Sequence, residues 1–363
     1  MAGRPADGSG PVEVVELGEL NADALAAWQR FALERGNPFA SPEWLGACID
    51  GGAARKPIVL VARDGERGYG GFLPLERSRA RMLRLPGNRL ADWYEPACPR
   101  ETEQQFLAAC AGALAGLDCD VLGLDRWAGE VEPFASQGRL RARPARPDDV
   151  LPFVELGAGG WDEYLAGRSR NFRSQLGRRR RKLEEGPGLE FRLAERSSLD
   201  QDWETFTRLH EARWSERGEP GVLAGEGGDV HRAFAEVALE RGWLRLWVMS
   251  VGGDPVGAWY GWRLGDRYGY QLSGFDPAMA KAGIGVVLLA HTIEQAAAEG
   301  AQIYDLLWGD EPYKERFETG RRAVPSLLLT RPWSMVGMAA RGQVGLRAAG
   351  RRLPSGLRRV VRR

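Results

Sequence analysis

The sequence predicts a mixed α/β protein of the α+β kind, built from two tandem domains. Each domain is expected to be a mixed, largely antiparallel sheet flanked by helices. Three observations carry this. The chain has 363 residues and a 44% hydrophobic content, more than one ordinary domain needs for its core. Between Trp243 and Trp308 the order strand, strand, strand, glycine loop, helix, strand is legible. Between Pro57 and Leu124 the order strands, helix, strand returns, as a repeat of topology without an aligned repeat of sequence. A Pro- and Arg-rich stretch over residues 133–152 places the boundary near 150. The expected division is 1–150, 151–335 and a basic C-terminal tail, 336–363.

In the first domain, residues 12–17 read as a strand. Asn21 caps a helix to about Arg35, with Leu25, Trp28 and Phe31 on one face. Ser41-Pro42 repeats the start signal for a helix to about Asp50. Strands follow at 57–62, 69–76 and 81–85, a helix at 101–117 and a buried strand at 121–124.

In the second domain, a long helix is expected from Trp161 to Glu185, with Phe172, Leu176 and Leu183 on its apolar face. Between them lie Arg168, Arg170, Arg173, Arg178, Arg179, Arg180, Arg181 and Lys182. Two readings stand for this run: a solvated helix face, or an anion platform. The next helix, 201–217, groups Trp203, Phe206, Leu209, His210, Arg213 and Trp214. Residues 222–228 read as a glycine-rich loop and 230–241 as a helix. Strands at 243–250, 256–264 and 268–275 are joined by Gly252-Gly253-Asp254-Pro255 and Gly265-Asp266-Arg267. Gly283-Ile284-Gly285 then opens a helix from Val286 to Glu299, stopped by Gly300. Residues 303–308 form a buried strand and 323–330 a last one.

A glycine loop feeding a helix start suits an anion. The first amides of the helix have no partner within it, and its dipole favours negative charge there. Tyr304-Asp305-Leu306 followed by Gly309-Asp310-Glu311-Pro312-Tyr313-Lys314 and Phe317 resembles a signature of the CelD-like (cellulose-biosynthesis-type) acetyltransferases. These belong to the GNAT N-acyltransferase superfamily and are relatives of the FemAB aminoacyltransferases. Residues 71–75 and 85–96 resemble CelD-like segments less tightly. The resemblance implies that Ala282, Gly283, Ile284, Gly285 and Val286 hold the pyrophosphate of coenzyme A. It also implies that strand 270–275, with Ser273, borders the thioester. The chain departs from the superfamily loop, which opens with Gln or Arg, by having Ala280 beside Lys281. The first half lacks such a loop and is expected to wall the substrate cleft.

The activity implied is a GNAT-type acyl-CoA N-acyltransferase. Acetyl-CoA or another acyl-CoA would be the substrate, with a small-molecule or sugar amine as acceptor and no metal. Such a transfer needs a deprotonated amine, a donor to the carbonyl oxygen and a proton for the thiolate. No GxSxG elbow or Cys–His pairing suggests covalent catalysis. The candidate catalytic residues are Asp305, Tyr313, Lys314 and His210, out of a wider set with Tyr304, Asp310 and Glu311. Asp305 lies in an apolar strand and reads equally as a loop cap. His210 reads as a structural histidine or as facing the acceptor. Lys314 reads as an anion ligand or as the partner of Glu311.

Two rival functions remain. One is a FemAB-like aminoacyltransferase using aminoacyl-transfer RNA, with the basic helix as its RNA contact. The other is a non-catalytic scaffold in polysaccharide assembly. Cys48, Cys98, Cys110 and Cys119 have no CxxC spacing, so a disulfide framework or zinc site is not expected. The absence of an apolar run of about 20 residues, or of a signal peptide, implies a cytoplasmic protein. Net charge is +1, yet the tail beyond Pro332 carries arginines and no acid. It reads as a ragged terminus or as an attachment to anionic surfaces.

Overall fold

The structure, a computed structural model, describes residues 11–65, 68–79, 81–87, 90–136, 140–186, 188–215, 221–309 and 312–342. The chain divides into two compact units, one of residues 1–49, 53–149 and 324–363, the other of residues 50–52 and 150–323. The chain leaves the first unit through β6 (Arg141–Glu155) and returns through β12 (Gly320–Thr330), so the described residues 324–342 join the first unit.

In the first unit, β1 (Val12–Val15), β2 (Pro57–Asp64), β3 (Gly68–Arg79) and β4 (Met82–Arg84) pair antiparallel in chain order. β5 (Val121–Leu124) pairs parallel with β4 and antiparallel with β12. α1 (Ala22–Arg35) starts where expected, because the Asn21 side chain accepts the Ala24 amide, and it ends at left-handed Gly36. α2 (Pro42–Asp50) has the Ser41 hydroxyl accepting the Trp44 amide. With α3 (Glu103–Gly116) these helices bury Trp28, Phe31, Phe39, Trp44 and Phe106. Trp28 stacks on Phe72 of β3 at 5.3 Å between centroids. The stretch 133–152, where the boundary is expected, includes most of α4 (Glu132–Ser136) and much of β6, and the two units divide within β6, between residues 149 and 150.

In the second unit the strand order is β6, β11 (Ile303–Asp305), β10 (Arg267–Phe275), β9 (Asp254–Leu264), β8 (Leu244–Val251), β7 (Leu189–Leu193). Neighbours are antiparallel except β10 and β11, which run parallel. Successive residues of β9 point to opposite faces and join different clusters. Trp259 meets Tyr268, Tyr270 and Tyr304 under α9 (Ile284–Ala298). Tyr260 meets Trp203 and Phe206 of α7 (Leu199–Ser215) and His231 of α8 (Glu226–Glu240).

Four boundaries differ from expectation. The long helix is two, α5 (Gly160–Ala166) and α6 (Arg170–Glu185). Ser169 caps the second by accepting the Phe172 amide, while Arg168 donates to the Phe317 and Glu318 carbonyls. Side-chain capping and a tertiary anchor thus break a periodicity that continues in sequence. α8 already begins at Glu226, inside the stretch expected as a loop. α9 begins at Ile284, preceded by a 3-10 turn over Pro277–Ala282. β11 stops at Asp305, whose side chain accepts the Leu307 amide while Leu307 adopts φ 55°. The expected end of α7 at 217 lies outside the described residues.

Candidate functional site

The site is built where β10 and β11 part. They pair only from Arg267 to Gly269 against Ile303 to Asp305. Beyond Gly269, β10 has no strand partner on that side among the described residues, although it stays paired with β9 to Phe275. A register shift between Tyr270 and Leu272 marks a bulge at the parting. The result is a backbone edge without a neighbouring strand among the described residues, of the kind whose N–H groups can donate to a carbonyl lying along it.

At the far end of that edge stands the start of α9. Gly283 sits at φ 75°, a left-handed conformation that favours glycine. Its amide bonds the Ala280 carbonyl, and its own carbonyl takes the Val286 and Val287 amides. Of the five expected phosphate-binding positions, Gly283 and Val286 therefore have occupied amides. Ile284 and Gly285 are the first two residues of α9, and their amides have no acceptor within their own helix. A β-carbon on Gly283 would lie 2.8 Å from Cδ and Nη1 of Arg179, so the Arg179 side chain of α6 lies directly over the loop. It has no ion pair among the described residues. The basic residue missing from the loop sequence is thus supplied from another helix. Gly285 differs: a β-carbon there would make only ordinary contact, at 3.6 Å, with the Phe275 ring. Nothing in the surrounding protein demands glycine at 285.

Phe275 links the loop to a polar cluster. Its ring lies 4.9 Å beneath the Arg213 guanidinium. Arg213 donates to Ser273 Oγ at 2.9 Å, and the Tyr270 hydroxyl bonds the same oxygen. Tyr270 Oη meets Tyr313 Oη at 3.0 Å. Lys314, 4% exposed, donates to the Trp308 carbonyl at 2.9 Å and lies 5.6 Å from the Tyr270 ring centre. His210 Nδ1 is 3.0 Å from the Ser273 carbonyl. A carbonyl only accepts, so the proton sits on Nδ1 and Nε2 carries the lone pair. That Nε2 faces Gly221, where a β-carbon would come within 2.8 Å. Gly274 lets α7 approach this closely: a β-carbon there would stand 2.2 Å from the His210 backbone nitrogen.

The electrostatics sort these groups. Burial pushes the His210 ring down to about 4, against the pull of the Ser273 carbonyl and with a smaller push from Arg213. The ring is neutral at pH 7 and a weak base. Burial works against the charge of Arg213, but the Tyr270 and Tyr313 hydroxyls outweigh it and raise its pKa. Arg213 has no carboxylate partner among the described residues.

The fold therefore brings His210, Ser273, Tyr313 and Lys314 into one cluster. Asp305 is held elsewhere. It is fully buried, and Oδ2 takes Arg322 at 2.6 Å and Arg267 at 3.2 Å while Oδ1 takes the Leu307 amide. Three donors leave it a structural hub for the turn after β11. Tyr304 is buried with its hydroxyl on Thr292 at 2.7 Å, a core role. Asp310 and Glu311 lie outside the described residues. Arg179, Arg213 and Tyr270 were not singled out from the sequence. Arg213 carried a signal, three residues after His210 on one helix. Arg179 carried none that set it apart from its basic neighbours. Two cavities, of about 410 and 210 Å³, belong to the first unit, and no residue of the loop or cluster lines either.

Residues 170–315, within the second unit, match the family model described as an acetyltransferase (GNAT) domain. No curated protein matches the sequence. The fold is similar to that of FemX, with TM-score 0.61 and 10% identity over 87% of this chain and 96% of that one. It is also similar to the C-terminal domain of a putative lysylphosphatidylglycerol synthetase from Agrobacterium fabrum, with TM-score 0.57 and 12% identity over 89% and 95%. L-PGS from Bacillus licheniformis gives TM-score 0.54 and 13% identity over 89% and 96%. At these identities the likeness concerns the fold.

Proposed function

We propose that this GNAT-type domain transfers an acyl group, in the first instance acetyl, from acyl-CoA to an amine acceptor, in the manner of the CelD-like enzymes its closing motif resembles. The observation that carries the reading is the start of α9. Two amides without helical acceptors, the helix dipole, Arg179 and an unfilled glycine position converge there. A diphosphate fits that donor set: it offers several acceptor oxygens and the charge that Arg179 lacks.

In this reading the open edge of β10 lies along the thioester and its N–H groups polarise the carbonyl. The amine lone pair adds to the carbonyl carbon, the electron pair moves to oxygen, and its return expels the thiolate. The proton lost by the amine and the proton gained by sulfur pass through the Tyr270–Tyr313 hydroxyl pair. Arg213 lies beside both hydroxyls and donates to the Ser273 oxygen that Tyr270 also bonds, which holds the pair in place. His210 positions Ser273 and hence the pair, its low basicity suiting it poorly to act as the base. Lys314 holds the Trp308 carbonyl and flanks the Tyr270 face.

Thermal unfolding with and without acetyl-CoA tests the reading, since a ligand bound only by the native state must stabilise it. A second reading, transfer from aminoacyl-transfer RNA, is favoured by one observation. On α6, Arg170, Arg173, Arg178, Arg181 and Lys182 are all exposed. Stabilisation by transfer RNA that weakens steeply with salt, with none by acetyl-CoA, would select it.

A further inference from the structure

We propose that the end of the described chain is a device for docking on an anionic lipid bilayer: an apolar wedge of Trp333, Met335 and Met338 in a part of the chain whose sequence carries arginines and no acid. The three side chains are 92%, 77% and 44% exposed, among the most exposed large apolar residues of the described chain. Clustered exposed apolar groups mark interaction surfaces, whereas scattered ones need no explanation.

The wedge is held out rather than left loose. Trp333 has φ 65°, a left-handed conformation disfavoured for any residue with a β-carbon. It is clamped from both sides. The Arg331 amide donates to the Asp120 carbonyl at 2.8 Å, and the Ser334 hydroxyl donates to Asp120 Oδ2 at 2.7 Å. Asp120 is itself fixed by Arg81. Ser334 Oγ also accepts the Gly337 amide, starting the helical turns that carry Met335 and Met338. Arg341 donates to Thr330 Oγ1 at 3.1 Å and ties those turns back to β12. A backbone strained and braced in this way, presenting an indole to solvent, makes sense when the indole has somewhere to go.

Charge identifies the occupant. From residue 331 to 363 the sequence holds nine arginines and no acidic residue. The cavity of about 410 Å³ beside the Trp333 turn has Arg141 and Arg331 in its wall, with Leu140 and Pro332. Guanidinium groups in such a wall are donors of the kind a phosphate headgroup accepts from, although Arg331 also lies 3.7 Å from Asp120. A nucleic acid would use the arginines but not the methionines. A bilayer with acidic lipids uses both, the indole at the headgroup level and the cations against the surface potential. No helix among the described residues is long and apolar enough to cross a membrane, so the contact is peripheral.

The test is sedimentation of the full chain with phosphatidylcholine vesicles and with mixed phosphatidylcholine–phosphatidylglycerol vesicles, beside a W333A/M335A/M338A variant. The expected result is partition to the mixed vesicles at least about tenfold above the neutral ones, lost with salt and reduced about tenfold in the variant. The substituted side chains are exposed, so the variant should unfold at the wild-type temperature. Equal partition to neutral vesicles, or no partition, overturns the proposal. So does partition unchanged in the variant, which would leave a bare electrostatic tail of the kind a nucleic acid also attracts. A change of oligomeric state in the variant with vesicle binding untouched would mark a self-association surface instead.

Discussion

Tyr313 and Asp305 both follow from the closing motif of the second unit, yet they face opposite fates. Tyr313→Phe removes the Oη–Oη bond to Tyr270, worth about 1 kcal/mol, and the hydroxyl's contact with Arg213, so its melting temperature should fall by only a few degrees. Its kcat should fall roughly a hundredfold or more, with KM for acetyl-CoA unchanged, if the hydroxyl pair carries protons. Steady-state rates with an amine panel measure this. Asp305→Asn should do the reverse. It leaves Arg322 and Arg267 facing a neutral amide and should cost on the order of 3 kcal/mol in denaturant unfolding, less whatever solvent recovers for the part-exposed arginines. Surviving folded Asp305→Asn should still bind acetyl-CoA. At this scale the sequence named His210, Ser273, Tyr313 and Lys314, which share one cluster. It could not separate Asp305 from them. A carboxylate in an apolar strand announces that it has partners, not which ones, and Arg322 lies 17 residues away.

The elements explain why a loop without a basic opening residue can still serve an anion. α6 crosses α9 so that Arg179 covers Gly283, while its neighbour Arg180 is engaged with Glu184 and Glu294. Arg179→Ala should therefore weaken acetyl-CoA by roughly tenfold or more, the worth of a hydrogen bond to a charged group, measured by calorimetry. The unliganded protein should be no less stable, because a cation beside a helix N-terminus is unfavourable there. Helix starts such as Asn21 and Ser41 were legible because a cap is a local device. The break at Ser169 was not, since it depends on the carbonyls of Phe317 and Glu318, far along the chain. Nor does any local pattern distinguish Arg179 from Arg178 or Arg180: which arginine meets the loop is decided by the rotation of α6 on its apolar stripe of Phe172, Leu176 and Leu183.

For the molecule as a whole, the three histidines set an acid limit. Burial holds His210 and His291 down to about 4 and His231 to about 3, against an ordinary value of 6.5. The unfolded chain thus binds protons that the native one refuses. Their contribution to stability is complete above about pH 6.5 and is lost progressively as pH falls toward 4, each histidine adding up to about 1.4 kcal/mol per pH unit. The melting temperature should fall from about pH 7 to about pH 5, and His291→Gln should flatten that fall. A pH-independent melting temperature in this range would contradict the burial. The strand orders were legible from alternation and turns. The return of residues 324–342 to the first unit was not, because it rests on the pairing of Leu327 with Leu124, about which neither segment carries local information.

The most direct measurement is thermal unfolding of the wild-type chain and Gly285→Glu with acetyl-CoA. A glutamate early in α9 suits the helix dipole and its β-carbon makes only ordinary contact with the Phe275 ring, so the unliganded variant should unfold with the wild type. At about a hundredfold excess over Kd the wild type should gain about 2.7 kcal/mol, a shift of roughly 5–10 °C for the second unit, and the variant none. No shift in the wild type, or an equal shift in Gly285→Glu, would contradict an acyl-CoA site at the start of α9.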